Sequence, residues 1–205
     1  MSLTFYYAPW STATSVQWAL AELDVPFDGV RIDLQAKENR RPEFLAINPN
    51  GKVPVIVHDG TTIFESLAIL VHLGETFGVE RGLFPGPGLE RAQALQWMAW
   101  MQVSVGEVVS RFLRNTSDRI PAELRNAAAG DEARAELHAH LRILEDHLRG
   151  REWMVAGRCT LVDVHVASWM IYFQAFRFDL EPYPHIGAHS GRMMARPSAR
   201  KIAEG

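Results

Sequence analysis

Residues 53–66 read VPVIVHDGTTIFES, and this stretch decides the interpretation of the N-terminal half of the chain. A β-rich run opens at Pro54, the pair Asp59-Gly60 is a strong hairpin signal, and a second short run follows. Glu65 and Ser66 then open an apolar segment with helical spacing. Proline removes a ladder donor, so a strand that begins beside Pro54 indicates that the preceding peptide has another role.

The residues upstream of this stretch alternate between strand and helix patterns. Residues 3–8, LTFYYA, are β-branched and aromatic and are bounded by Pro9, which predicts a buried first strand. Apolar side chains then recur at helical spacing. Ser11, Thr12 and Thr14 lie just ahead of them and offer helix-capping hydroxyls. The pattern therefore predicts a strand, a short loop and a helix.

A second strand is predicted where Val30, Ile32 and Leu34 alternate with polar residues. A short helix-sized segment separates this strand from the hairpin. Residues 1–77 are therefore predicted to form a small α/β domain in the order β-α-β, short helix, β-β-α.

The remainder of the chain has helical periodicity. Residues 78–89, GVERGLFPGPGL, are rich in glycine and proline and are typical of a linker. Apolar residues recur at helical spacing over 90–114 and again over 132–149. Residues 90–205 are therefore predicted to form an all-helical domain.

Two signals mark helix boundaries near the end of this region. Thr160 and Asp163 have the spacing of a capping box and precede the apolar run VHVASWMIYF, which predicts a buried helix. One further short helix is predicted to end before Pro197.

Composition excludes several classes of function. The 205-residue chain has 47% hydrophobic residues and a net charge of −3, so it predicts a packed fold without a basic field for nucleic acid or an anionic membrane. Its single cysteine, Cys159, excludes a disulfide framework. His138 and His140 point apart on a helix, so no metal site is expected. We expect a cytoplasmic protein, because the first residues lack the pattern of a signal peptide.

Four motifs resemble those of the cytosolic glutathione transferases, and together they cover the whole chain. They are YYAPWSTAT after the first strand, NPNGKVPVI at the third, FES at the third long helix, and TLVDVHVA at the capping box. The resemblance implies a thioredoxin-like N-terminal domain joined to an all-α C-terminal domain. It also implies a bacterial, serine-type member of the family that forms a homodimer and acts in detoxification.

The resemblance assigns a role in glutathione binding to residues 53–66. It implies that Pro54 is cis and that the main chain of Val53 pairs with the cysteinyl backbone of glutathione. It also implies that Glu65 accepts from the γ-glutamyl ammonium, while Ser66 and the helix N-terminus bind the carboxylate. Glutathione would be the co-substrate, without a metal.

One position departs from the family pattern. Several members have a basic or amide side chain just before the valine-proline pair, and this chain has Gly51 in that region. Lys52 is the candidate for binding the glycine carboxylate of glutathione, and Lys37 and Arg40 are further candidates. The other interpretation of these cations is solvated surface.

The resemblance implies that a hydroxyl at the start of the first helix stabilises the glutathione thiolate. Ser11 is the first candidate, because it follows Pro9 as the serine does in the serine-using classes. Thr12 and Thr14 are alternatives, and Tyr7 lies near the catalytic tyrosine of other classes. Lowering the thiol pKa by ~2 units needs ~2.7 kcal/mol, which one charge-assisted hydrogen bond and a helix N-terminus can supply. Helix capping is the competing role for these hydroxyls.

The electrophile site is expected between the domains. Trp10 is predicted as one wall for an apolar substrate, and Met101, Val105 and Phe112 as the opposite wall, unless these three residues form ordinary core. The predicted function is conjugation of glutathione to an apolar electrophile. The alternative is a non-catalytic binding or protein-interaction module with the same fold.

Overall fold

A four-stranded sheet forms the N-terminal part of the protein, as the computed structural model of residues 1–203 shows. The strands are β1 (Leu3–Tyr7), β2 (Asp28–Arg31), β3 (Val55–His58) and β4 (Thr61–Phe64). Their order in the sheet is β2-β1-β3-β4, with β1 parallel to β2 and antiparallel to β3. The predicted α/β domain is therefore confirmed, although β2 ends at Arg31 and does not extend to Leu34.

Helices make up most of the remaining structure. They are α1 (Ala13–Glu22), α2 (Pro42–Ile47), α3 (Ser66–Leu73), α4 (Leu89–Ala99), α5 (Gly106–Thr116), α6 (Ala127–Leu148), α7 (Leu161–Ala175), α8 (Pro184–Met194) and α9 (Pro197–Ala203). The structure therefore has the predicted architecture, a thioredoxin-like domain followed by a helical domain. In the part of the chain that the structure describes, no helix is both long and apolar enough to cross a membrane.

The predicted hairpin joins β3 to β4. Asp59 and Gly60 have positive φ angles of 46° and 81°, which the two central residues of a type I′ turn require. His58 pairs with Thr61 on either side of the turn. The turn therefore fixes the register that places β3 directly after Pro54.

Helix α1 forms the junction between the sheet and the helical domain. Trp18 is fully buried, and its indole N–H donates to the Ser198 hydroxyl of α9 at 3.0 Å. The Arg196 guanidinium also pairs with Glu22 at the end of α1. The sequence interpretation ended the last helix before Pro197 and missed α9, although proline is readily accepted in the first turn of a helix.

Helices α4 and α5 are joined without a break. Residues Trp100–Val105 form π-helical turns between them, so the single helix predicted over 90–114 has irregular hydrogen bonding in its middle. Such turns are often found at functional sites, because they reorient the side chains around them. Helix α6 begins five residues earlier than predicted, since the Asn126 side chain caps it by accepting from the Ala129 amide.

Candidate functional site

A cleft of about 410 Å³ lies between the sheet domain and the helical domain, and we call it the inner cleft. Six residues proposed from the sequence line it: Thr12, Lys52, Val53, Pro54, Glu65 and Ser66. The opposite side is formed by residues of the helical domain that the sequence interpretation did not select: Gln102, Gly106, Val109, Leu113 and Trp169. The volume falls in the range of small-molecule sites.

The floor of the inner cleft is built from the chain around Val53. The Val53–Pro54 peptide bond is cis, as the resemblance implied. The buried Asn48 amide donates to the Lys52 carbonyl at 2.8 Å, which holds this segment in place. Within residues 1–203 no main-chain group hydrogen-bonds to the N–H or carbonyl of Val53. The Val53 peptide is therefore available to an extended ligand.

The beginning of α3 forms one end of the inner cleft. Glu65 has a φ angle of 70°, an unusual value for a residue with a side chain. Positive φ in a non-glycine residue persists where the surrounding structure requires it, and such residues cluster at ligand sites. Ser66 is buried, and its hydroxyl donates to Oε1 of Gln102 at 3.2 Å. A carboxylate, a hydroxyl and a helix N-terminus thus meet here, and they suit a ligand that carries both charges.

The space beside Gly51 is filled by another residue. Gly51 has a φ angle of 60°, and a Cβ there would lie 2.7 Å from Nη1 of Arg40. The Asn39 amide also donates to the Gly51 carbonyl at 2.7 Å. A side chain at position 51 is thus excluded, and the Arg40 guanidinium supplies positive charge beside this glycine.

The hydroxyl of Ser11 is used within the loop. It donates to the Ala8 carbonyl at 2.7 Å and accepts from the Ala13 amide at 3.2 Å. Ser11 lines a small void that adjoins the inner cleft and shares Thr12 and Gln102 with it, but Ser11 is not among the residues of the inner cleft itself. In this arrangement its hydrogen is not directed at a ligand, so the structure favours the capping role over the predicted catalytic role.

Thr12, an alternative to Ser11 in the sequence interpretation, lies between that residue and α1. It precedes the first residue of α1 and lines the inner cleft. Its carbonyl accepts from the Ser15 hydroxyl at 2.9 Å, while its own hydroxyl has no hydrogen-bond partner in the described part of the chain. Thr14 does not line the inner cleft.

Tyr7, the remaining alternative, is engaged on the sheet. Its ring stacks on Phe5 with a centroid distance of 5.3 Å, and it also packs beside Gly29 of β2. Tyr7 is not among the lining residues of the inner cleft. Of the four residues proposed to supply the hydroxyl, Thr12 is therefore the one that lines the inner cleft.

The loop after β1 is anchored to the helical domain. Trp10 has a φ angle of 57°, and its carbonyl accepts from the Tyr172 hydroxyl of α7 at 2.9 Å. Burial raises the pKa of Tyr172, and the nearby Arg119 guanidinium opposes this shift. The Trp10 side chain itself is 72% exposed. The hydrogen bond therefore positions the backbone of the loop and leaves the indole free.

Trp10 and Phe112 line a second, larger cleft of about 1140 Å³, which we call the outer cleft. Ser110, Leu113 and Tyr172 line both clefts, so the two are neighbours. A reactive group held in the inner cleft can therefore face a molecule in the outer one.

Two predicted wall residues are displaced from this site. Met101 and Val105 are each 1% exposed, and they pack in the hydrophobic core. The turns of the helix that face the inner cleft carry Gly106, Val109 and Leu113 instead. Met101 and Val105 continue the 3–4 helical spacing of the buried residues Met98, Val108 and Phe112, so they belong to the core face, as the alternative interpretation had it.

The single cysteine and the paired histidines do not form a second reactive centre. Burial raises the pKa of Cys159 to about 12, and the Asp163 carboxylate adds to this shift. His138 hydrogen-bonds to the Tyr183 hydroxyl at 2.8 Å, and His140 packs edge-on against Trp100. Both histidines are partly buried, and each contacts a neighbouring aromatic side chain. Within residues 1–203, no three potential metal ligands are grouped together.

Comparison with known proteins identifies the family. The profile described as "Glutathione S-transferase, N-terminal domain" matches residues 1–75, and that described as "Glutathione S-transferase, C-terminal domain" matches residues 104–197.

Individual relatives agree with this match over most of their length. The Aspergillus fumigatus protein "Glutathione S-transferase-like protein tpcF" is 28% identical over 89% of this chain and 86% of its own. The Escherichia coli "Disulfide-bond oxidoreductase YfcG" is 27% identical over 96% of this chain and 92% of its own. The Phanerochaete chrysosporium glutathione transferase URE2P8, solved with oxidized glutathione, has a TM-score of 0.89 at 25% identity, covering 99% of this chain and 94% of its own. The chain therefore belongs to the glutathione S-transferase family.

Proposed function

We propose that this protein binds glutathione in the inner cleft, stabilises its thiolate and conjugates it to an electrophile in the outer cleft. The observation that carries the proposal is the meeting of Thr12, the Val53 peptide and the Glu65-Ser66 pair in a single cleft. Thr12 is far in sequence from residues 53–66, and the three groups match different parts of the tripeptide. Relatives whose structures contain oxidized glutathione add support.

The cysteinyl part of glutathione would pair with the main chain of Val53. Its N–H and carbonyl lack main-chain partners within residues 1–203, and an extended peptide offers the complementary carbonyl and N–H. This pairing orients the cysteine side chain without any side-chain recognition, so it is independent of the amino acid at position 53.

The γ-glutamyl end would bind at the start of α3. The Glu65 carboxylate accepts from the ammonium, and the free N–H groups of the helix start donate to the carboxylate. Gln102 accepts from the Ser66 hydroxyl through Oε1, so its amide N–H groups remain to donate to the ligand. At the other end of the tripeptide, Lys52 lies in the cleft and attracts the glycine carboxylate.

Thr12 would supply the hydrogen bond to the sulfur. A free thiol of this type has a pKa near 8.5, so only a few per cent is thiolate at neutral pH. A hydroxyl donor and the positive end of α1 both favour the anion. The proton leaves to solvent, and the thiolate attacks the electrophile. This assignment replaces Ser11 as first candidate, because the Ser11 hydroxyl already donates to Ala8.

The experiment is a pH titration of the near-ultraviolet thiolate absorbance of bound glutathione. Wild type should give a thiol pKa about 2 units below that of free glutathione, corresponding to ~2.7 kcal/mol. Thr12→Val keeps the shape of the side chain and removes its hydroxyl, so the thiol pKa of bound glutathione should rise most of the way to that of free glutathione. Ser11→Ala is the matched control and should retain the lowered pKa.

Two results would contradict this proposal in different ways. If the lowered thiol pKa persists in Thr12→Val and is lost in Ser11→Ala, Ser11 is again the first candidate for the hydroxyl that stabilises the thiolate. Glutathione that binds with an unshifted pKa, together with no turnover, would favour a non-catalytic binding module.

A further inference from the structure

The outer cleft is positively charged, although the chain as a whole is acidic. Four arginines line it: Arg114, Arg119, Arg134 and Arg177. Asp118 is the single carboxylate among its lining residues, and it already pairs with Arg125 at 3.1 Å. The protein has 21 basic and 24 acidic side chains, so an average patch would carry a slight negative charge. The residues that line the outer cleft therefore carry an excess of positive charge.

These four guanidinium groups have no polar partner in the part of the chain that the structure describes. In residues 1–203 no carboxylate lies within ion-pair distance of any of them, and none of them donates a hydrogen bond. By contrast, Arg91, Arg111 and Arg196 elsewhere in the helical region each pair with a glutamate. The arginines of the outer cleft therefore keep their full capacity to bind an anion.

Helix termini account for only two of the four positions. Arg114 lies in the last turn of α5, and Arg177 follows the end of α7, where a cation offsets the helix dipole. Arg119 lies in the loop after α5. Arg134 lies in the third turn of α6, far from the C-terminal end, which is where the helix dipole would favour a cation. These two positions need a different explanation.

Aromatic surface lies beside this charge. Arg134 is held over the Phe112 ring, with its guanidinium carbon 4.9 Å from the ring centroid. Tyr172 and Phe176 pack edge to face with their centroids 4.7 Å apart, and the Trp10 indole is exposed on the same cleft. Aromatic faces bind planar apolar groups, while guanidinium groups bind carboxylates and sulfonates. The combination suits a ligand that has both.

We infer that the electrophile taken by the outer cleft is an aromatic anion, with its ring against the aromatic side chains and its carboxylate or sulfonate facing Arg119 and Arg134. This inference rests on the proposed function and narrows its substrate class. It also revises the expectation of a purely apolar substrate. For a chloronitroaromatic acid, the thiolate forms a C–S bond at the carbon that bears chlorine. Chloride leaves with the C–Cl bonding electrons, and the thiol proton has already gone to solvent.

The test compares 4-chloro-3-nitrobenzoate with its neutral carboxamide. Each kcat/KM is divided by the rate constant for free glutathione with the same compound, which removes the difference in intrinsic reactivity. Wild type should prefer the anion about tenfold at low salt, since two exposed cations of this kind each contribute about two- to fivefold. The preference should fall toward parity at about 0.5 M salt, where the charges are screened.

Variants assign this preference to the outer cleft. Arg119→Gln with Arg134→Gln should abolish most of it, whereas the corresponding lysine pair should retain most of it. Arg31→Gln with Arg200→Gln removes the same charge from residues that line neither cleft and should leave the ratio unchanged. Equal normalised values in wild type, or a preference that persists in the glutamine pair, would overturn the inference.

A binding measurement separates this inference from the proposed function. If neither compound is turned over and bound glutathione has an unshifted thiol pKa, the transferase proposal fails. Calorimetric titration with the unreactive 3-nitrobenzoate and 3-nitrobenzamide then decides the inference alone. Tighter binding of the anion that is lost in the glutamine pair supports it, and equal binding of the two compounds contradicts it.

Discussion

The hydroxyl of Ser66, at the first residue of α3, donates to Oε1 of Gln102 in the helical domain, 3.2 Å away. This hydrogen bond connects the sheet domain to the π-helical turns between α4 and α5 at the edge of the inner cleft. It links the shape of one end of the cleft to the packing of the two domains.

Gln102→Leu should weaken glutathione binding because it removes both the acceptor of Ser66 and a donor to the ligand. Losing one such hydrogen bond costs about 1 kcal/mol, so KM for glutathione should rise about fivefold while kcat changes less. In the double variant with Ser66→Ala, KM should rise by less than the product of the two single increases, since both substitutions remove the same hydrogen bond. Fully multiplicative effects in steady-state kinetics would show that the two residues act independently.

Lys52→Gln should raise KM for glutathione about two- to fivefold, the range of an exposed ion pair. The control is glutathione whose glycine carboxylate is converted to an amide, for which wild type and variant should have equal KM values. Arg40→Gln offers a comparison, because Arg40 fills the space beside Gly51. If the selectivity for the carboxylate persists in Lys52→Gln and disappears in Arg40→Gln, Arg40 is the residue that binds the glycine end.

Asp163→Ala should destabilise the protein by about 3 to 5 kcal/mol, because it leaves several buried donors without an acceptor. The fully buried Asp163 accepts from the Met154 amide, the Thr160 amide and hydroxyl, and His189 at 2.8 to 3.0 Å. Denaturant unfolding measures the change. Asp146→Ala, which removes an exposed partner of Arg149, is the control and should change stability by less than about 0.5 kcal/mol. If the two variants lose a similar free energy of unfolding, the buried hydrogen bonds of Asp163 do not contribute the stability expected of them.

The free energy of unfolding should fall as the pH is lowered, because His165 is protonated more readily in the unfolded chain than in the folded one. Burial lowers its pKa to about 4 from an ordinary value of 6.5, with the Met98 backbone opposing the shift. The unfolded chain binds the proton first as pH falls below 6.5, so folding loses roughly 3 kcal/mol of stability by pH 4. His165→Leu should lack this component, and its stability should decline less between pH 7 and pH 4. Parallel curves for the two proteins would show that His165 does not titrate in this way.

Local sequence patterns determined much of the fold. The hairpin at Asp59-Gly60 and the capping box at Thr160 are both confirmed, because each depends on residues within a few positions of one another. The motif residues that line the inner cleft could be proposed for the same reason, since they belong to short segments with a characteristic local geometry.

Tertiary structure decided which residues line the inner cleft. Ser11 and Thr12 are adjacent hydroxyl residues that both suit a helix start, and only the path of the loop bonds the Ser11 hydroxyl to Ala8 and places Thr12 along the inner cleft. Met101 and Val105 belong to the core because they share a helix face with the buried residues Met98 and Val108, and the packing of the other helices covers this face. The charge of the outer cleft brings together arginines from three separate segments. Long-range packing sets all these relationships, so the sequence by itself determined the fold and the motif residues, while the orientation of reactive groups and the character of the electrophile site depend on the assembled structure.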